Sequence, residues 1–227
     1  MARRIEILDT TLRDGNKLPF VVLSLKDRLS LARQLSLLGV DVVEAGFPAS
    51  SREEAECVAR ICGELEGPYV SALSRALPAE VARSLEIVRA AKKPYLHIFM
   101  PVSPHFLAQV LRMSEAQALQ SIGECLRAAK QGGARVQFSL SHAPHARRGF
   151  LEEACIAARE AGADVINLAD TNGILTPEET GELVAFSVSL LQSGHGASTM
   201  IGVHCHDDLG LATANTLAAI RAGASHV

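Results

Sequence analysis

The chain has no tryptophan, and only two tyrosines and seven phenylalanines stand among its 227 residues. With 48% of residues hydrophobic, a sizeable core is available, but it must be built mostly from Leu, Val, Ile and Ala. That same content, against 21% charged residues, excludes a disordered chain. There is no excess of either charge. The net charge is -3 with acids and bases interspersed, which argues against nucleic acid or an anionic membrane surface as a partner. No apolar run approaches the roughly 18 to 20 residues of a membrane span. The opening Met1-Ala2-Arg3-Arg4 reaches Asp9 too soon to hold the apolar region of a signal peptide. No CxxC pair occurs among the five cysteines, an odd number. Cys57, Cys125 and Cys155 lie in helical-looking segments and Cys62 closes one. This is intracellular usage, not a disulfide framework, and it predicts a cytoplasmic protein.

What is present is a rhythm. Short β-rich runs begin at Ile5, Val40, Tyr69, Tyr95, Arg135, Asp164 and Met200, and each leads through a polar loop to a segment of helical spacing. Ser24 can cap a helix over Leu25 to Leu38, which Gly39 stops, and Pro78 and Pro177 open two others. The interval from Pro101 to Met113 reads as loop with one possible helical turn, before a helix that Ser114 caps. Ser225-His226-Val227 reads as the start of an eighth strand. Strand and helix alternate about every 30 residues, the pattern of βα units around a parallel sheet. A doubly wound sheet is the alternative. The count heading to eight favours a TIM (β/α)8 barrel, as do polar residues at strand ends: Asp9, Glu44, Ser71, His97, Ser139, Asp170, His204 and His206. A barrel focuses all such ends on one mouth.

His204-Cys205-His206-Asp207-Asp208 follows the apolar run Met200 to Val203. Residues two apart on a strand share a face, so both imidazoles project together and Cys205 projects away, as a packed residue. Two neutral imidazoles can supply two ligands to a divalent metal. In a barrel, Asp14 in the loop after strand 1 can join them, giving a carboxylate and two histidines. Arg13 beside that site can stabilise an oxyanion or a substrate carboxylate. Each has an ordinary reading too: Asp14 as a turn residue, Arg13 as a loop arginine, the histidines as packed side chains.

Asp9-Thr10-Thr11-Leu12-Arg13-Asp14-Gly15, together with His204-Cys205-His206-Asp207-Asp208-Leu209-Gly210, resembles the metal-dependent acyl-CoA condensing and cleaving barrels. That family includes 2-isopropylmalate, homocitrate and citramalate synthases and hydroxymethylglutaryl-CoA lyase. Glu44 to Ser51, Ser74-Arg75-Ala76, His97-Ile98-Phe99, Asp170-Thr171-x-Gly173 and Thr176-Pro177-Glu178 look most like the isopropylmalate type. The resemblance implies an acyltransferase that condenses acetyl-CoA with a 2-oxo acid, 3-methyl-2-oxobutanoate in leucine biosynthesis. It implies a divalent ion (Mn2+, Mg2+ or Zn2+) on Asp14, His204 and His206, with Arg13 supporting the oxygen that becomes an alkoxide. It implies that His97, Ser139 and Thr171 line the 2-oxo acid pocket, and that the full-length form is a homodimer. Homocitrate or citramalate synthesis, and a degenerate non-catalytic paralogue, are the alternatives.

The chain departs from the family pattern in places. Asn16-Lys17 stands where Glu-Gln usually follows Arg-Asp-Gly, and Ser141 stands where an active-site acid is expected, with His142 or His145 nearby as a substitute base. The resemblance also implies a strand 8 and a Gly-Glu-Arg-x-Gly-Asn stretch after Val227. Residues 1-227 are therefore expected to be one catalytic barrel domain, truncated at its C-terminus and lacking most of strand 8.

Overall fold

A computed structural model describes residues 3–192 and 199–227. Met1 and Ala2 of the N-terminal reading lie outside the described residues. Seven strands make one sheet in the order β1 to β7, each beside its sequence neighbour, and the recorded pairings are parallel. That order is what repeated right-handed βα units produce.

Residues 6–98 with 128–136 form one compact unit. It carries β1 (Leu8–Asp9), α1 (Leu25–Leu38), β2 (Val42–Gly46), α2 (Arg52–Glu64), β3 (Tyr69–Arg75) and α3 (Pro78–Val88). The predicted bounds of α1 are met at both ends. Ser24 accepts from the Asp27 N–H and Asp27 accepts from the Ser24 N–H, a capping box, and Gly39 closes α1 in the left-handed region at φ 86°. β1 is shorter than the apolar run from Ile5 implied. The Ile7 N–H donates to the Asp41 side chain (3.0 Å), so the ladder begins only at Leu8, paired with Val42. β2 is buried along its whole length, and its register with β3 shifts between Glu44 and Gly46.

The other described residues form the second unit, to which belong α5 (Arg148–Glu160), β6 (Val165–Asp170), α6 (Pro177–Gln192), β7 (Met200–Cys205) and α7 (Ala212–Ala222). β4 (Pro94–Pro101), α4 (Glu115–Gln131) and β5 (Arg135–Ser141) have residues in both. The interval after β4, read as loop with one possible helical turn, does contain a turn, π-helical over Phe106–Leu111 and closed by Arg112 at φ 52°. Of these six residues only Leu107 is buried, so no stripe of helical period marked the turn in the sequence. β6 and β7 pair from Val165–Met200 to Asp170–Cys205. The eighth-strand reading is met by one parallel bridge, Gly202 to His226.

The core is aliphatic, as composition required, with Tyr95, Phe138 and Phe150 the largest fully buried side chains. All five cysteines are free; four are buried and Cys205 is half-buried. Among the described residues no helix is long and apolar enough to cross a membrane.

Phe150, fully buried near the start of α5, gives a first test. Phe150→Ala is expected to lower the unfolding free energy by about 3–5 kcal/mol, whereas Leu37→Ala, at a residue 88% exposed, should change it by less than about 0.5 kcal/mol. Urea denaturation of both variants checks the contrast.

Candidate functional site

The first strand ends in a tight turn. The Arg13 and Asp14 N–H groups both donate to the Thr10 carbonyl (3.0 and 2.8 Å), and the Thr11 N–H donates to Asp9 Oδ1 (2.9 Å). The turn buries Leu12 completely and leaves Arg13 and Asp14 side by side. Arg13 Nε donates to Glu44 Oε2 and its Nη1 to Asp14 Oδ1, both at 2.5 Å. Lys17 Nζ lies 2.9 Å from the same Asp14 oxygen. On its other side Glu44 meets His97 Nδ1. One chain of polar contacts therefore runs Lys17, Asp14, Arg13, Glu44, His97.

Glu44 is the centre of that chain, and it is fully buried. Burial alone would raise its pKa. Arg13 and His97 outweigh burial and bring it down to about 2. Arg13 shows the reciprocal effect: burial works against its charge, yet Glu44 and Asp14 hold its pKa above the ordinary value. Two carboxylates thus fix the guanidinium plane through Nε and Nη1. Glu44 was noted in the sequence only as a strand-end polar residue. The stronger signal was an acid inside the run Val42-Val43-Glu44-Ala45, since a buried acid needs a charged partner.

His204 is in β7 and His206 is just past its end. Their rings lie 5.0 Å apart at an interplanar angle of 46°, so the shared face expected from strand parity is found. Cys205 stands apart, its thiol pushed up to about 11, chiefly by burial. The loop after β6 holds the histidine segment. The Asp170 carbonyl accepts from the His206 N–H (3.3 Å) and from the Gly173 N–H (3.2 Å), and the Asp170 carboxylate accepts from Ile174 and Leu175 N–H. Gly173 sits at φ 59°, and a Cβ there would come within 2.9 Å of the His206 carbonyl and 2.8 Å of the Asp208 nitrogen. Only glycine suits both the conformation and this close approach.

The other predicted residues are placed as follows. Ser139 is buried, accepting from Asn167 Nδ2 (2.8 Å) with Gln137 Nε2 at 3.5 Å. Thr171 Oγ1 accepts from the His142 N–H (2.9 Å) and lies 3.2 Å from Ser141 Oγ. Ser141 Oγ is also 3.0 Å from His142 Nδ1, and the His142 ring packs on Phe106 with centroids 4.1 Å apart. Burial, then His145 and His206, lower the His142 pKa. His142 adopts φ 59°, a left-handed conformation uncommon outside glycine, though histidine enters it more readily than most residues. Asp14 in the first unit, and His204 and His206 in the second, are half-buried.

Comparison with known proteins adds an independent line. The model of the HMGL-like family matches residues 4–227. The 2-isopropylmalate synthase of Nitratidesulfovibrio vulgaris is 41% identical over 221 residues, covering 97% of this chain and 43% of that protein. The 2-isopropylmalate synthase of Pyrococcus abyssi is 41% identical over 225 residues, covering 99% and 46%. The chain thus spans less than half the length of these curated relatives. Among solved structures, the HMG-CoA lyase of Bacillus subtilis superposes with a TM-score of 0.81 at 21% identity, over 99% of this chain and 76% of the lyase. The Acinetobacter baumannii HMG-CoA lyase, solved with coenzyme A and 3-methylmalate, gives 0.80 at 21% identity, over 98% and 73%. These likenesses bear on the fold, which is that of the lyase TIM barrels, so the barrel reading holds over the doubly wound alternative.

The buried Glu44 sets a pH test. Its folded pKa lies below the ordinary carboxylate value of 4.5, so its stabilisation is fully present above pH 4.5 and is lost as pH falls toward about 2. Glu44→Gln should therefore be less stable than the native chain at neutral pH, with the gap closing across that window. Urea denaturation at a series of pH values measures it, and a gap that stays constant down to pH 2 would contradict the ionised, paired Glu44.

Proposed function

Because the chain belongs to the HMGL-like family, we propose that it forms most of the catalytic barrel of a 2-isopropylmalate synthase-type acyltransferase. The reaction is condensation of acetyl-CoA with 3-methyl-2-oxobutanoate, and its product would serve leucine biosynthesis. The observation that carries the reading is the chain Asp14-Arg13-Glu44-His97, in a sequence about 40% identical to proteins named for this activity. The two histidines and Asp14 fit a divalent ion. One carboxylate and two imidazoles are the donor set of catalytic sites that keep open positions.

A divalent ion bound there, Mn2+, Mg2+ or Zn2+, supplies Lewis acidity and a template for the oxygens of a 2-oxo acid. The chain's own residues do the rest. Arg13, locked by Glu44 and Asp14, offers Nη2 to the keto oxygen as it gains negative charge. Because two carboxylates already hold its plane, little reorganisation is needed when that charge develops. His97, fixed by Glu44, and Thr171 and Ser139 contribute polar groups to the 2-oxo acid pocket. A base removes a methyl proton from acetyl-CoA, the methyl carbon bonds to the keto carbon, and hydrolysis of the thioester releases CoA. Lys17 beside Asp14 places a second cation at this end of the site, where it favours anionic substrates. We assign the reaction to the cytoplasm and to a homodimer, the first in keeping with five free thiols.

Release of free thiol from acetyl-CoA with a panel of 2-oxo acids tests the reading. The expected result is fastest release with 3-methyl-2-oxobutanoate. Preference for 2-oxoglutarate or pyruvate would instead give the homocitrate or citramalate reaction, and a flat panel would support the non-catalytic alternative. Calorimetry with Mn2+, Mg2+ and Zn2+ gives a separate reading. His204→Ala and Asp14→Ala are each expected to weaken uptake by at least roughly tenfold, as loss of a ligand does, and unchanged uptake would remove those residues from the metal site.

A further inference from the structure

We propose that Arg28, acting with Glu54, is a positioning residue that sets the alignment of Arg13 against Glu44. The proposal rests on the reading of Arg13 as the group that meets the substrate oxygen. Arg28 lies in the first turn of α1, only 4% exposed. Its Nη2 donates to the Ala45 carbonyl at 2.5 Å and to the Leu12 carbonyl at 3.3 Å. Leu12 is the residue before Arg13, and Ala45 is the residue after Glu44. One guanidinium therefore grips the backbone immediately beside each member of the pair.

The grip is itself oriented. Arg28 Nη1 donates to Glu54 Oε2 at 2.5 Å and Nη2 to Glu54 Oε1 at 3.0 Å, a fork-to-fork pair. Glu54 Oε1 also accepts from the Phe47 N–H at 3.0 Å, so α2 is tied to the same strand end. Gly46 lies in the middle of this assembly. A Cβ there would stand 2.8 Å from Arg28 Nη2 and 2.9 Å from Val58 Cγ2, and closer still to Glu54 Oε1. The clamp thus accounts for glycine at that position. The β2–β3 register shift falls between Glu44 and Gly46, at Ala45, whose carbonyl accepts from Arg28. A lysine carries the charge but not the planar fork, so it cannot serve two carbonyls and a bidentate carboxylate together.

Another half-buried Arg–Glu pair of the same unit serves as a control. Arg135 Nη2 donates to Glu6 Oε2 at 2.7 Å, beneath the rings of Tyr69 and Tyr95. Arg135 opens β5 and Glu6 precedes β1, so this pair belongs to strand starts, whereas Arg13 and Glu44 belong to strand ends.

The test is NMR of the protein labelled with 15N-arginine, following the Arg13 Nε–H signal, which is assigned by its loss in Arg13→Lys. Solvent exchange of that proton is measured in Arg28→Lys, Glu54→Gln and Glu6→Gln, with urea denaturation of each. Arg28→Lys and Glu54→Gln are expected to raise exchange by roughly tenfold or more, the order of losing a charge-assisted hydrogen bond. Glu6→Gln should lower stability yet leave Arg13 exchange within about twofold of native. If Arg28→Lys does not fold, Glu54→Gln and Glu54→Asp carry the comparison. Unchanged Arg13 exchange in the folded clamp variants would overturn the proposal, and so would an equal change in Glu6→Gln. In the thiol-release assay the clamp variants should lose kcat while KM for acetyl-CoA holds. The NMR readout needs neither metal nor turnover, so an inactive native protein would count against the proposed reaction while the positioning role is still decided by the exchange data.

Discussion

A carboxylate without solvent access sits in the second strand, and much of the first unit is arranged to keep it charged. Glu44 is fully buried, and an isolated ion there would cost several kcal/mol or more. It stays ionised because Arg13 and His97 approach its two oxygens from opposite sides. Removing either partner would leave a buried charge half compensated, the costly arrangement for such pairs. The constraint acts in both directions. Glu44 holds Arg13 in one plane, and Arg13 in turn holds Asp14. Turn geometry at Thr10, burial of Leu12 and the clamp from Arg28 all bear on this one ion.

The second unit solves a different problem with similar means. Two imidazoles must share a face at the end of β7, and strand parity brings them there. What fixes the segment beyond the strand is the loop after β6. Asp170 uses its carbonyl on His206 and its carboxylate on Ile174 and Leu175, while Gly173 admits the His206 and Asp208 backbone. Elsewhere Lys17 meets Asp14 in the first unit, and Ser141 joins Thr171 and His142 in the second.

Alternation of strands and helices, the caps of α1 and the pairing of His204 with His206 were legible in the sequence, because each depends on residues a few positions apart. Periodicity reports a local backbone, and Ser24, Gly39, Pro78 and Pro177 mark its breaks. The short β1 was not legible, since Asp41, the residue before β2, takes the Ile7 N–H. The turn at Phe106–Leu111 was legible only as a possible helical turn without bounds, since it buries too little to leave a stripe. The largest omission was the partnership of Arg13, Glu44 and His97, whose members come from the turn after β1, from β2 and from β4. The sequence by itself determined the βα repeat, the aliphatic core and the residue types able to bind a metal, all set by composition and short-range spacing. Tertiary structure alone decided which acid meets which base. Coulombic and hydrogen-bond partners are chosen by distance in space, and a chain folded into parallel strands brings together residues that its sequence keeps tens of positions apart.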